Sequence, residues 1–248
     1  LKNKNTDCLS YNIYPFLISE KKEIISLNIC DNPGVSSIFK PNFLFLSKFK
    51  DHKRFNINKK ISLEANNLDS LNLKSSDFIK IDIQGAELKA LNGSLKTLDN
   101  TLGLEIEVEF QKMYENQPIF GDIHKFLDDK EFELIDFPII KRWEREEENS
   151  FGQIVFADAL FLRSPEFANE NFNSSKMAKY ILILLLYNKF DLIDACNLKK
   201  FFSDEEVYEI RIVTKYFKNK NLITRYINSI STGFSKLLGN EYKSHLFH

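Results

Sequence analysis

The join between residues 77 and 95 constrains this chain more than any other feature. Asp77-Phe-Ile-Lys-Ile-Asp-Ile83 is apolar and β-branched over most of its length and reads as a strand. Gly85 frees the backbone for a turn, and Leu88, Leu91 and Leu95 recur behind it at helical spacing, so a helix starts near Ala86. Residues 102–110 are the next strand, 122–130 a helix, 132–137 a strand and 153–162 another. Strands alternating with helices over 77–137 imply βαβ units and a parallel sheet. The last two strands, with no helix between them, are expected to pair antiparallel.

Upstream, 10–19 and 23–30 read as strands around the polar turn Glu20-Lys21-Lys22, and Asp31-Asn32-Pro33-Gly34 is a strong turn signal. Residues 35–60 are aromatic and basic without a clear period, and 61–65 form a short strand. After Pro165 the pattern becomes helical, at 177–188, 192–202, 204–217 and 222–238, with Ser203 and Glu206 forming a capping box before the third helix. The expected organisation is an α/β domain over 1–165 and a helical extension over 166–248, with no internal repeat.

Charge narrows the function. Residues 1–60 carry 11 basic and 5 acidic side chains, 61–197 carry 14 and 25, and 198–248 carry 9 and 5. A polyanion-binding protein shows a basic stripe through its working region, and here that region is acidic, which argues against nucleic acid as the partner. Cys8, Cys30 and Cys196 have no C-x-x-C spacing, which fits a reducing compartment and a cytoplasmic location. The longest apolar run, 180–187, falls short of the roughly 20 residues of a membrane span and is flanked by Lys179 and Lys189.

In open parallel sheets ligands sit outside the carboxyl ends of strands, which directs attention to Asp82-Ile-Gln84-Gly85-Ala86-Glu87. A carboxylate at a strand tip, followed by a glycine turn and a helix start, is placed to take a proton or orient a polar ligand; capping of the next helix is an equal alternative. Along 102–110, Glu105, Glu107 and Glu109 share one face, either of an edge strand or of a strand where a buried Glu pairs with Lys80 and another serves the site. Tyr114, Gln117, Pro118 and Phe120 suit the wall of a small-molecule pocket or a packed loop, and Trp143, in the charged stretch 141–148, suggests a lid. The four histidines form no HExxH, no G-x-S-x-G or Walker loop occurs, and every glycine is isolated, so no metal site is assigned.

Four blocks, in order, resemble the FkbM family of S-adenosylmethionine-dependent methyltransferases: NPGVSSI at 32–38, DFIKIDIQGAELKALNG at 77–93, EIEVEFQKMYENQPIFGDIHKFL at 105–127 and GQIVFADALFLR at 152–163. The resemblance implies a class I methyltransferase (Rossmann-like) fold: a mostly parallel sheet with an antiparallel last hairpin, here lacking its first strands, plus the C-terminal helical extension. It implies O-methylation of a hydroxyl on a sugar, polysaccharide or natural product, hence a small-molecule or glycan acceptor. By analogy, Asp82 lies near the sulfonium and acceptor and is the first candidate for the base, with Glu107 second and Lys80 orienting one of them; Ser19 falls beside the adenine. Gln84, Tyr114 and Trp143 are the candidate acceptor contacts.

The glycine-rich turn and acid-tipped second strand with which the family begins have no counterpart, and residue 1 is leucine. The expectation is an amino-terminally truncated chain that binds S-adenosylmethionine poorly or not at all and, lacking the glycine loop, is inactive as it stands. A catalytically inactive module whose helical tail binds a partner protein is the alternative; a glycosyltransferase is disfavoured by the lack of a D-x-D pair.

Overall fold

Two sheets are built from different amounts of apolar sequence. The computed structural model describes residues 12–71, 73, 76–145 and 151–237, of which 221–237 as backbone only. The first sheet comprises β1 (Leu17–Ile18), β2 (Glu23–Cys30) and β3 (Ile57–Asn66) in the order β1-β3-β2, with β1 parallel and β2 antiparallel to β3. β3 starts earlier than its apolar pattern indicates, because Asn58, Lys59 and Lys60 are exposed and only from Ile61 onward do half-buried residues alternate. The strand expected at 10–19 is confined to two residues; Pro15 has no N–H for a ladder, and residues 10 and 11 lie outside the described part.

The second sheet is the better buried. β4 (Phe78–Ile81), β5 (Gly103–Glu109), β6 (Glu133–Trp143) and β7 (Gln153–Leu162) lie in the order β4-β5-β7-β6. β4 and β5 are parallel, and β7 runs antiparallel between β5 and β6, so the expected antiparallel hairpin is present. The expectation of one mostly parallel sheet needs correcting. The described strands fall into two sheets, and three of their five pairings are antiparallel. Between β2 and β3 the chain forms only short turns of helix, α1 (Phe43–Leu46) and 3-10 turns at Pro33–Val35 and Lys50–Phe55, and no long helix carries it across to a parallel neighbour.

Behind β4 the helix breaks in two, α2 (Glu87–Asn92) and α3 (Leu95–Leu98). The break falls at Gly93, where a Cβ would lie 2.3 Å from the Ser19 carbonyl oxygen, so the first sheet's entry loop presses on the backbone there. α4 (Phe120–Asp128) follows, its first turn held by the Asp122 carboxylate accepting from the Ile119 amide at 2.9 Å. Leu91, Leu98, Ile123 and Leu127 from these helices pack on Ile106 and Phe161 of the sheet. A second cluster joins Leu46, Phe49 and Phe55 to Met113, Tyr114 and Val155.

Arg163 closes this unit from within. Only 4% exposed, it donates to the carbonyls of Leu98 (3.0 Å), Thr101 (3.4 Å) and Lys130, and its guanidinium lies 3.9 Å from the Phe132 ring centroid. One side chain thereby ties together carbonyls at and just beyond the ends of α3 and α4, sharing that of Leu98 with the Thr101 amide at 3.1 Å.

The chain divides after Arg163 into a second compact unit. It contains α5 (Pro165–Asn171), α6 (Ser174–Leu186), α7 (Phe190–Ala195) and α8 (Asp204–Leu237). Ser164 caps α5 by accepting from Phe167 N at 3.0 Å, with Pro165 at the first helical position. α8 is one continuous helix where two were expected, and it begins at the capping box read from the sequence: Glu206 accepts from Ser203 N at 2.8 Å, and Glu206 N donates to Ser203 Oγ at 3.3 Å. Among the described residues no helix is long and apolar enough to cross a membrane.

Candidate active site

β4 ends at Ile81, and the next six residues build the site. Asp82 stands exposed at the strand tip, while Gln84 and Gly85 both take left-handed backbone angles, φ 56° and 93°. Gly85 is needed twice over, for its dihedral and for space, since a Cβ there would meet Tyr114 Cδ2 at 3.3 Å and Gln117 Cβ at 3.4 Å. Glu87 holds the turn from inside: its buried carboxylate accepts from Ile83 N at 2.9 Å and from the amides of Gly85 and Glu87 itself. Asp82 does not take the capping role that its sequence position also allowed: α2 has no side-chain cap, and the Asp82 carboxylate accepts from Gln84 Nε2 instead.

The turn aims Gln84 at two carboxylates. Its Nε2 donates to Asp82 Oδ1 at 2.9 Å and to Glu107 Oε1 at 3.0 Å, which leaves Oε1 to accept from the Tyr114 hydroxyl at 3.1 Å. That hydroxyl has a competing acceptor, the Val35 carbonyl at 2.9 Å. Ser37 Oγ donates to the Gln84 carbonyl at 2.6 Å, and Asn28 Nδ2 braces the same loop at the carbonyls of Ser37 (3.1 Å) and Phe39 (3.0 Å). Residues far apart in sequence thus fix one amide plane.

Burial and mutual repulsion govern the protons here. Burial, then the nearby Asp82, Glu87 and Asp158 carboxylates, push Glu107 up to about 8. Burial pushes Glu87 up to about 7, against the three amides that favour its charged form. Glu109 is raised well above the ordinary range by burial and by Glu87 and Glu107, and its Oε1 is buried without a hydrogen-bond partner among the described residues. The Tyr114 hydroxyl is likewise raised, by burial first and Glu109 next.

The residues singled out from sequence do not all converge. Asp82, Gln84, Glu107 and Tyr114 come together, but Tyr114 is fully buried and acts on the site through Gln84. Lys80 is committed elsewhere: the parallel register sets it opposite Glu105, which it contacts closely, and it reaches Asp158 at 3.5 Å, so Gln84 and not Lys80 bridges Asp82 and Glu107. Ser19 is fully buried and donates to Glu23 at 3.0 Å, while its neighbours Leu17 and Ile18 line a cavity of about 450 Å³ together with Asp82, Gln84 and Pro33. Trp143 lines a different cavity. β5 is no edge strand; it lies between β4 and β7, with Glu107 6% and Glu109 2% exposed. Sequence reading missed Glu87, Ser37 and Asn28. An acid just after the turn glycine is a local signal for Glu87, whereas Ser37 and Asn28 act across the fold and leave none. Among the described residues no group of three His, Cys, Asp or Glu side chains is placed to hold a metal.

The fold is that of an α/β domain, and its cavity lies at a strand's carboxyl end, walled by an acid, a left-handed turn and a helix start, where α/β sheets generally take their ligands. Its family follows from comparison: the methyltransferase FkbM domain matches residues 2–134, and the chain belongs to that family. This marks it as a methyltransferase domain, of a kind that generally uses S-adenosylmethionine. No curated protein and no solved structure matches the chain.

Proposed function

We propose that the chain serves the S-adenosylmethionine-dependent O-methylation of a hydroxyl on a sugar, polysaccharide or other natural product. The observation that carries this reading is Asp82, exposed on the wall of a 450 Å³ cavity and held by the Gln84 amide. The residues present fit the cationic cofactor in two ways: Leu17, Ile18, Leu27 and Ile29 offer the cavity an apolar side, and the exposed carboxylate of Asp82 offers it a negative charge. S-adenosylmethionine, when bound, supplies an electrophilic methyl group on sulfur.

In this reading Asp82 would take the proton from the acceptor hydroxyl as its oxygen becomes methylated. Gln84 fixes the carboxylate's direction, and Tyr114, Ser37 and Glu87 fix Gln84, so orientation is prepaid by the fold. Glu107, buried behind them and poised near neutrality, adjusts the local charge. Titration with S-adenosylhomocysteine and transfer of a labelled methyl group to a panel of sugars and polyols test the proposal. Binding with label found in an ether-linked product is the expected result, against the sequence expectation of poor cofactor binding; binding with label only on nitrogen or carbon would reject O-methylation, and no binding would uphold that expectation and reject the cofactor role of this chain.

A further inference from the structure

A second cavity, of about 460 Å³, lies within the same unit and is lined by Phe49, Lys50, His52, Arg54, Arg142 and Trp143, among others. Its volume falls in the usual range for small-molecule sites, roughly 300–1,000 Å³. Phe55 also lines it and stacks edge-on against Tyr114, with ring centroids 6.0 Å apart. Both rings are essentially inaccessible, so a solid aromatic wall divides this cavity from the Gln84 amide on the other side of Tyr114.

Arg54 is the anomaly. Its guanidinium lies 4.9 Å from the Trp143 ring centroid and 5.1 Å from that of Phe55, and its Nε is buried without a hydrogen-bond partner among the described residues. Asp51 and Glu144 line the same cavity, yet neither forms an ion pair with it. The Nε is covered, whereas the two terminal nitrogens of this half-buried side chain are not among its buried atoms, and they are the donors open to a ligand. His52 Nδ1 is turned to the Phe49 carbonyl at 2.8 Å, and Arg142 reaches the Gly152 carbonyl at 3.4 Å with its guanidinium 4.8 Å from the Phe151 ring centroid. The cations of Lys50, Arg54 and Arg142 thus gather at an aromatic wall without carboxylate partners among the described residues.

We propose that this cavity binds a small ring compound carrying a carboxylate or phosphate, its anionic group taken by Arg54 and its ring set against Trp143 and Phe49. A planar guanidinium stacked on an aromatic ring is preorganised for bidentate recognition of either anion. The site is separate from the Asp82 cavity and does not depend on how that cavity is used.

Trp143 is the only tryptophan in the chain, so its emission reports on this cavity alone. The full chain is titrated with D-glucuronate, D-glucose 6-phosphate, inorganic phosphate and D-glucose at ionic strength matched with sodium chloride, and each titration is repeated by calorimetry. The expected result is a saturable change with glucuronate or glucose 6-phosphate that is at least about tenfold weaker with glucose, and weakened by a similar factor in Arg54→Gln. Whichever of the two charged sugars binds more tightly identifies the anion; inorganic phosphate binding as tightly as either would refute the role of the ring. Circular dichroism checks that Arg54→Gln is folded, and Arg142→Gln gives a second variant if it is not. Equal response to glucose, no binding by either method, or unchanged binding in the folded variants would overturn the proposal.

Discussion

The two ends of β5 place chemically identical side chains in opposite circumstances. Glu105, near its start, lies beside Lys80 and has its charge met across the parallel register. Glu107 and Glu109, two and four residues further along the same face, form no ion pair among the described residues and are buried among other acids, whose repulsion at Glu107 the Lys80 charge offsets only in part. The first is an ordinary cross-strand ion pair. The others keep carboxyl groups where the fold would be more stable without charge, the pattern expected where a site is maintained against stability.

The contrast can be broken first at the exposed acid that the buried ones support. Asp82→Asn is expected to lower methyl transfer by roughly 10²–10⁴-fold with the melting temperature little changed; a rate within a few-fold of the parent would remove Asp82 from the chemistry. Next is the proton balance. With Glu107 at about 8 in the folded chain against an ordinary 4.5, the folded form holds more protons than the unfolded between those values. The stability present below pH 4.5 is lost as pH rises through about 8. Thermal melts should therefore fall over that interval, and Glu107→Gln should flatten the fall and melt higher than the parent near its upper end. A parent curve level across the interval would contradict the raised value.

A smaller effect is expected at the turn. Gly85→Ala forces a side chain into φ 93° and against Tyr114, and should cost roughly 1–2 kcal/mol by chemical denaturation. The smallest sharpens the comparison from the other side. Lys80 is more than half exposed, so Lys80→Met should destabilise by only about 1 kcal/mol or less and leave the pH profile attributed to Glu107 in place. A change in that profile as large as the one from Glu107→Gln would mean that the two ends of β5 are not independent.

How much was legible beforehand varied with the range of the interactions. The strands at 77–83 and 153–162 were readable because their side chains are apolar over most of their length, and the Ser203 capping box because it is complete within four residues. In the first sheet the strand read at 23–30 is β2 and the one at 61–65 lies in the second half of β3, but the start of β3 was not legible, because its exposed lysines carry no apolar alternation. At the site, Asp82 was recognisable from the strand-turn-helix pattern around it. That Lys80 pairs with one Glu of β5 and leaves another for the site was legible from opposite charges on neighbouring strands, but not which one: register gives Lys80 to Glu105, and Gln84 rather than Lys80 orients Asp82 and Glu107. Ser37 lies 47 residues from Gln84, and such a contact leaves no mark on either local sequence.

The position of β7 bears on how such a chain is made. It is the last strand of its unit to leave the ribosome, yet it occupies an inner place, with β5 on one side and β6 on the other. Until residue 162 has emerged, β5 and β6 have no ladder between them, and Arg163, one residue later, closes the helix ends behind them. Assembly therefore waits for synthesis to pass this point, with a long-range pairing as its final step. A nascent chain stalled before β7 would present two open strand edges at once, a state for chaperones to shield.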